Sequence, residues 1–280
     1  MTILSFTLIL LLGSFIAGLL GSLTGLGGGV IIIPMLTLIF QIDIRYAIGA
    51  SLISVIATSS GAAAAYVREG ISNIRIGMFL EIATTVGAVL GAILAAYTTT
   101  SYIAIVFGFI LLLSAVVSFK HKEEIILNPA NSGKLGKWLK LNGTYPNEKG
   151  KEIPYGVAKV ISGFLMMMVA GLVSGLLGIG SGALKVIAMD NFMRLPFKVS
   201  TTTSNFMIGV TAAASAGVYL ERGYIDPGLS MPVVIGVLVG AFVGSKLLVS
   251  SGTKFLRILF AAVIIFLAFQ MIYNGFTGKI

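Results

Sequence analysis

The chain has 280 residues, 57% of them hydrophobic and only 10% charged, with a mean hydropathy of +1.03. A soluble domain carries about 25% charged residues, so this composition argues against a water-soluble globular enzyme. Zero cysteines and a single histidine, His121, exclude disulfides, thiolate chemistry and a His-based metal or triad centre, and no cofactor is expected. Nineteen Lys and Arg against ten Asp and Glu give a formal charge of +9. The cations fall mostly between apolar runs, the pattern of cytoplasmic loops in a membrane protein and not of a nucleic-acid surface.

Apolar stretches approaching the roughly 20 residues that cross a bilayer recur along the chain, so the sequence predicts an all-α polytopic membrane protein. The first half holds segments at 3–23, 30–40, 46–67, 77–97 and 102–119. The opening segment has no Lys or Arg ahead of it and reads as a membrane helix, not a cleaved leader. A polar stretch at 120–154 follows, rich in lysine, which the positive-inside rule places in the cytoplasm. Within it Leu135, Trp138, Leu139 and Leu141 alternate with Lys134, Lys137 and Lys140, so this piece is either a solvated loop or a segment resting in the headgroup layer. The second half holds segments at 155–177, 183–193, 199–220, 228–250 and 255–273. In each half the second segment is too short to span alone.

Shifting the sequence against itself by 153 positions, without gaps, superimposes the halves. Gly18-Leu19 falls on Gly171-Leu172, and Gly25, Gly27 and Gly29 fall on Gly178, Gly180 and Gly182. Ser51 meets Ser204, Tyr66 meets Tyr219, and Val86-Gly87-Ala88 meets Val239-Gly240-Ala241. The chain therefore divides into a transmembrane repeat at 1–119, a basic cytoplasmic linker at 120–154 and a second repeat at 155–280. Five crossings per half would set the two repeats upside down relative to each other, an inverted-topology repeat with short or broken Gly-rich helices. Charge placement agrees, with Arg68, Arg75, Arg194 and Lys198 on the linker side and Arg45, Arg222 and Asp226 outside. The alternative makes each short segment a re-entrant loop, leaving eight spans and parallel halves.

The glycine clusters around Gly25, Gly27, Gly28 and Gly29, and around Gly178, Gly180, Ser181 and Gly182, open the two short segments. No Walker lysine follows and no strand precedes, so nucleotide binding is rejected. In a membrane such a cluster breaks a helix and exposes amide N–H groups where the dipole favours an anion. It can also serve as a small-xxx-small packing face; the broken-helix reading is preferred for these two clusters, whose glycines are too dense for a good helix, and packing is the preferred reading of Gly236, Gly240 and Gly244. Ser200 to Ser204 are five consecutive hydroxyl residues followed by Asn205. Thr203, Ser204, Asn205 and the repeat partner Ser51 are candidates to line a polar path, against simple bonding back to the preceding turn. Charges within apolar segments are costly, about 2.5 to 3.5 kcal/mol for a central lysine on an insertion scale, so each is a candidate site. Lys185, three residues after Gly182, could share an anion with the freed amides, or be a packing or snorkelling cation; its repeat counterpart is Ile32. Glu81 could carry a coupling proton or pair with a cation. Lys246 is close enough to its helix end to snorkel.

The two signatures GLLGSLTGLGGGVIIIPML and GLVSGLLGIGSGAL, followed by AIGASLISV and VSTTTSNFMIG, resemble those of the TauE/SafE sulfite-exporter family of membrane permeases. The resemblance runs through both halves and implies a permease of the bacterial cytoplasmic membrane moving small sulfur-containing or organic anions, with export the expected direction. It carries the family's glycine signatures onto Gly25, Gly27, Gly28, Gly29, Gly178, Gly180 and Gly182, and its Ser/Thr-Asn signature onto Thr203, Ser204 and Asn205. The chain departs from the pattern at Ser181, which replaces the central glycine, at Lys185, and in its long linker. The expectation is a secondary transporter, not an enzyme. Its partners would be a small anion, the lipid bilayer, a coupling proton or ion and further copies of itself as a homo-oligomer; nucleic acid is not among them. The competing reading is a non-transporting scaffold that docks a partner through the basic linker. An intramembrane hydrolase would need paired aspartates or a membrane-level histidine, and the sequence holds neither.

Overall fold

A computed structural model describes residues 3–24, 28–68, 71–119, 127–146, 152–250 and 253–280. The first half consists of α1 (Ile3–Thr24), a short α2 (Gly29–Pro34) prolonged by a π-helical turn (Met35–Ile39), α3 (Ile44–Arg68), α4 (Ile74–Tyr97) and α5 (Thr100–Phe119). The connecting segment forms a 3-10 turn (Pro129–Asn131), α6 (Lys134–Trp138) and a hairpin of β1 (Gly143–Pro146) with β2 (Glu152–Tyr155). Then come α7 (Val160–Leu177), α8 (Gly182–Ile187) with its own π-turn (Ala188–Phe192), α9 (Phe197–Glu221), α10 (Pro227–Ser250) and α11 (Thr253–Phe276).

Four pairs of elements are offset by 153 residues. Shifted by 153, both ends of α2, of its π-turn, of α3 and of α4 coincide with those of α8, its π-turn, α9 and α10. A π-turn after Pro34 could be put down to the missing N–H of the proline. The same turn follows Ile187, so proline is not its cause.

Among the described residues four helices are long and apolar enough to cross a membrane, within α1, α4, α7 and α10, and shorter apolar helices accompany them. Their outward faces confirm the solvent. Leu4, Leu8, Leu12 and Ile16 on α1, and Met78, Ile82, Val86 and Leu90 on α4, are exposed at four-residue spacing. Such continuous apolar stripes are stable only against lipid. The inward faces of α1 and α4 mix small residues and hydroxyls, such as Ser14, Ala17, Thr84 and Gly87, with buried Leu10, Ile76 and Leu80.

The helices pair through glycine. A Cβ on Gly18 would strike the carbonyl of Val237, and one on Gly240 that of Phe15, which fixes the α1–α10 seam. The 153-shifted contacts, Gly171 on Thr84 and Gly87 on Met168, make the α7–α4 seam. Close backbone approach of this kind is how membrane helices gain packing without a hydrophobic driving force between them. Gly236, with its Cβ direction on Leu11, belongs to the same seam as Gly240, so these two glycines serve packing.

Contacts also give the chain directions. Phe6, early in α1, stacks edge-on against Phe40 beyond the first π-turn at 5.3 Å, and the Ala158 N–H donates to the Met193 carbonyl at 3.0 Å. Each long helix and the short one after it thus form a hairpin that returns to its own starting end. The repeat-related α3 and α9 lie antiparallel: Tyr46, near the start of α3, meets Tyr224, just past the end of α9, at 5.5 Å.

One end of the bundle gathers residues 43–46, 97–100, 222–226 and 274–280; there Arg45 Nη2 donates to the Thr98 carbonyl (2.8 Å), and Arg222 covers the Tyr97 ring at 5.2 Å. The opposite end carries the connecting segment, whose described residues pack onto the bundle. Asn73 caps α4 by accepting from the Ile76 N–H, and its amide donates to the Leu141 carbonyl (3.1 Å) and the Tyr155 hydroxyl (2.8 Å). Arg75 donates to the Lys140 carbonyl at 2.8 Å. Leu141, Tyr145 and Tyr155 are buried in a cluster with Ile76 and Leu80 of α4, while Trp138 stays exposed. Burial holds the Tyr155 phenol above its ordinary pKa, against the opposing hydrogen bond from Asn73.

Candidate functional site

The glycine clusters do break the helix, in a way their residues dictate. α7 ends at Gly178, where φ is +67°; Gly180 follows at +70° and Ser181 at +45°, and α8 starts at Gly182. Glycine adopts this left-handed region freely, whereas Ser181 is held there by its surroundings. The carbonyls left at the end of α7 are taken up from outside, with the Tyr219 hydroxyl donating to Gly175 (3.2 Å). In the first half Gly28 caps α2, its carbonyl accepting from Ile31 and Ile32, each at 3.1 Å. Gly25 and Gly27 lie outside the described residues, as do His121 and the side chain of Lys246.

The two breaks meet at the crossing of α3 and α9. Ser51 of α3 donates to the Gly178 carbonyl at 2.8 Å and also lies directly against the Cβ direction of Gly29. That same Cβ direction reaches the Gly178 carbonyl at 3.5 Å, so the two short helices start beside each other. Ser204, the repeat partner of Ser51, donates to the Gly182 carbonyl at 3.3 Å. The Ser181 hydroxyl is buried with no hydrogen-bond partner. Gly28, Gly29, Ser51, Gly178, Gly180, Ser181, Gly182 and Ser204 thus come together as one buried group.

Thr203 and Asn205 do not join it. The Thr203 hydroxyl accepts from the Asn73 N–H at 3.0 Å, at the start of α4, and is a structural contact there. Asn205 is half-buried on the next face of α9. Thr202 bonds back to the Lys198 and Val199 carbonyls and Thr201 to that of Phe197, the ordinary behaviour of helical hydroxyls.

Lys185 is fully buried, and its ammonium has a partner on another helix. Nζ donates to the Thr211 hydroxyl of α9 at 2.6 Å, and that oxygen lies 2.7 Å from Glu81 Oε1 on α4. A hydroxyl has one proton, so Thr211 accepts from the ammonium and passes its own hydrogen to the carboxylate or to the Met207 carbonyl at 2.8 Å. Thr85 donates a further bond to Glu81 Oε1 at 3.2 Å, and Oε2 is buried with no partner. Glu81 is therefore joined to Lys185 through Thr211, not to Arg75, which serves the connecting segment. Thr211 is the residue that sequence reasoning missed. Its signal was weak, a hydroxyl within a helix already rich in hydroxyls, with a partner 130 residues away.

Cavities also lie at the helix ends among the described residues. One of about 290 Å³ lies under the connecting segment, between Arg75, Lys140 and Tyr155; another of about 580 Å³ lies at the other end, between Gln41, Asp43, Thr100 and Asn274. Neither reaches the buried group.

Comparison with known proteins gives a match to the family model described as Sulfite exporter TauE/SafE over residues 10–271. Similar curated proteins include the probable membrane transporter proteins YunE of Bacillus subtilis, 29% identical over 97% of this chain and 98% of its own length. YdhB of the same organism is 28% identical, covering 85% and 89%. A probable membrane transporter protein of a Sinorhizobium species is 24% identical, covering 94% and 91%. No solved structure matches the chain.

Proposed function

Because the chain belongs to the sulfite exporter TauE/SafE family and is an integral membrane transporter, we propose that it is a secondary carrier, most naturally an exporter, of a small anion such as sulfite or a sulfonate. The observation that carries this reading is the meeting of the two glycine-broken hairpins at Ser51 and Gly178, with a buried lysine one turn into α8. Broken helices that bring their N-termini to a common point in a membrane interior make an anion site from backbone N–H groups. The substrate would lie against Gly25, Gly27, Gly28 and Gly29 on one side and Gly178, Gly180, Ser181 and Gly182 on the other, with Ser51, Ser204 and Lys185 as polar partners. Thr203 and Asn205 would act further along the path, and Glu81 would supply coupling. With no nucleotide motif in the sequence, energy comes from a gradient.

Membrane topology follows from the same hairpins. Each half contributes three crossing helices and one hairpin that returns to its starting side, an odd number of crossings that sets the halves in inverted orientation. The antiparallel α3 and α9 support this. Inversion and re-entrant short segments thus occur together, because each short helix turns back along the long one before it. The connecting segment would then face the cytoplasm, and alternating access would rock one half against the other around the central site. Cysteines at Ala130 and Arg194 should label from the cytoplasm and those at Gln41 and Arg222 from the other face; labelling of all four from one face refutes the topology.

The test of function is flux in liposomes with sulfite, sulfate, thiosulfate, small sulfonates and carboxylates. Saturable transport that disappears in Gly180→Leu supports the carrier. Absence of flux for every anion from folded protein refutes it.

A further inference from the structure

From the Lys185–Thr211–Glu81 chain, and resting on the carrier reading above, we infer that Lys185 exchanges partners: it is neutralised by Glu81 in the empty protein and by the substrate anion in the loaded one. A proton taken up by Glu81 is the condition of the exchange. Transport of a monovalent anion is then obligatorily coupled to one proton and electrically silent.

The argument starts from the cost of buried charge. Lys185 is 0% exposed and Glu81 8% exposed. A cation and a carboxylate at such depth persist only as a pair, because each alone bears a desolvation penalty of several kcal/mol. Joined through Thr211, they have a net charge of zero. An anion entering beside Lys185 without a proton would leave two negative charges against one positive in the membrane interior. If the carboxylate takes a proton as the anion arrives, the loaded site holds an ammonium, an anion and a neutral acid, again with zero net charge. Both end states then avoid an uncompensated buried charge.

The surroundings leave this role to Glu81. α4 packs against α7 and α9. α7 has no titratable side chain, and those of α9, Lys198, Tyr219 and Glu221, lie at its two ends. On the α8 hairpin the other charged residue, Asp190, sits in the π-turn beyond Lys185. Arg75, on α4 itself, is exposed and bonded to the Lys140 carbonyl. The charge facing Glu81 is therefore Lys185. The unpartnered Oε2 is the oxygen free to take the proton.

The geometry also supplies the coupling between movement and charge. Lys185 is on the short helix of the second half, Glu81 on a long helix of the first and Thr211 on the crossing helix α9. While the pair is intact, the α8 hairpin is tied to α4. Protonation removes the ionic part of that tie and frees the ammonium for the anion three residues away from Gly182.

The experiment uses the intact protein in liposomes with methanesulfonate, a strong-acid anion that carries no proton of its own, alongside any other anion showing flux. In wild type, a pH gradient of one unit should accumulate the anion about tenfold, and an imposed membrane potential should drive no net flux. Glu81→Gln loads without a proton, so the two drives should change places: no accumulation from the pH gradient, and up to about tenfold from 59 mV. A second, variant-independent measurement is proton uptake on anion binding in weakly buffered detergent, expected at about one per anion. Wild-type flux that follows the potential and ignores the pH gradient overturns this inference alone. Absence of any anion flux from folded wild type overturns the carrier reading as well.

Discussion

The two halves of the bundle are alike in their seams and unlike at their centre. Gly18 against Val237 and Gly171 against Thr84 are the same contact 153 residues apart, as are Gly240 against Phe15 and Gly87 against Met168. The centre breaks this symmetry. Where the second short helix has Lys185, the first has Ile32; where Thr211 bridges on α9, α3 has Thr58; and opposite Glu81 on α4, α10 has Val234. The bridging hydroxyl is retained in type while both charges are replaced by β-branched hydrocarbons. The seams recur at a fixed offset, whereas the buried Lys185–Thr211–Glu81 chain sits where the two halves differ in sequence.

The strongest way to break this comparison is to remove one charge. Lys185→Met leaves the Glu81 carboxylate buried without its partner and should cost about 3 to 5 kcal/mol, read as a lower unfolding temperature in detergent. Ile32→Met at the equivalent position changes shape only and should cost less than about 1.5 kcal/mol. Adding Glu81→Gln to Lys185→Met should recover most of the loss. Equal costs for Lys185→Met and Ile32→Met would mean that the pair contributes nothing that its apolar counterpart lacks.

The seams give a symmetric prediction of intermediate size. Gly18→Ala and Gly171→Ala each push a methyl into a facing carbonyl and should each cost about 1 to 3 kcal/mol. If one is tolerated and the other is not, the two seams are not energetically equivalent despite identical contacts. Smaller again is Ser51→Ala, which leaves the Gly178 carbonyl without its donor and should cost about 1 kcal/mol, with anion flux reduced more than stability because the break itself is loosened.

Much of this architecture is legible in the chain. Apolar run lengths and the 153-residue register of glycines place every helix of both halves, because close packing needs glycine at fixed positions and lipid needs apolar faces. The glycine clusters mark the helix breaks for a different reason, since Gly178 and Gly180 take the left-handed backbone that ends α7. Length alone does not say how an eleven-residue segment packs; Phe40 stacked on Phe6 shows it folded back along α1. Nor does it separate Ser204, which reaches the Gly182 carbonyl, from Thr203 beside it, which reaches Asn73. Adjacent residues on a helix point about 100° apart, and the neighbours they meet lie on other elements. The Lys185 ammonium illustrates the same limit. The sequence leaves it open as a site cation or a snorkelling one; the structure buries it on Thr211 and, through that hydroxyl, joins it to a carboxylate of the other half.

The smallest expected effect tests how the connecting segment adds to the asymmetry. Asn73 and Asp226 are repeat partners and cap α4 and α10 identically, Asn73 Oδ1 accepting from Ile76 N–H at 3.0 Å and Asp226 Oδ1 from Leu229 N–H at 2.8 Å. Only the amide of Asn73 also has hydrogens to give, and it spends them on the Leu141 carbonyl and the Tyr155 hydroxyl. Asn73→Asp keeps the cap and gains up to about 0.3 to 1 kcal/mol from a charge at the helix N-terminus, while losing the bond to Leu141, worth about 1 kcal/mol. The two changes nearly cancel in overall stability. They do not cancel locally, since the lost bond belongs to the connecting segment: limited proteolysis there should accelerate several-fold, with anion flux unchanged. Asp226→Asn, which faces no such segment, should alter neither rate, and an equal acceleration in both variants would show that the capping interaction, not the amide bonds, secures the segment to α4.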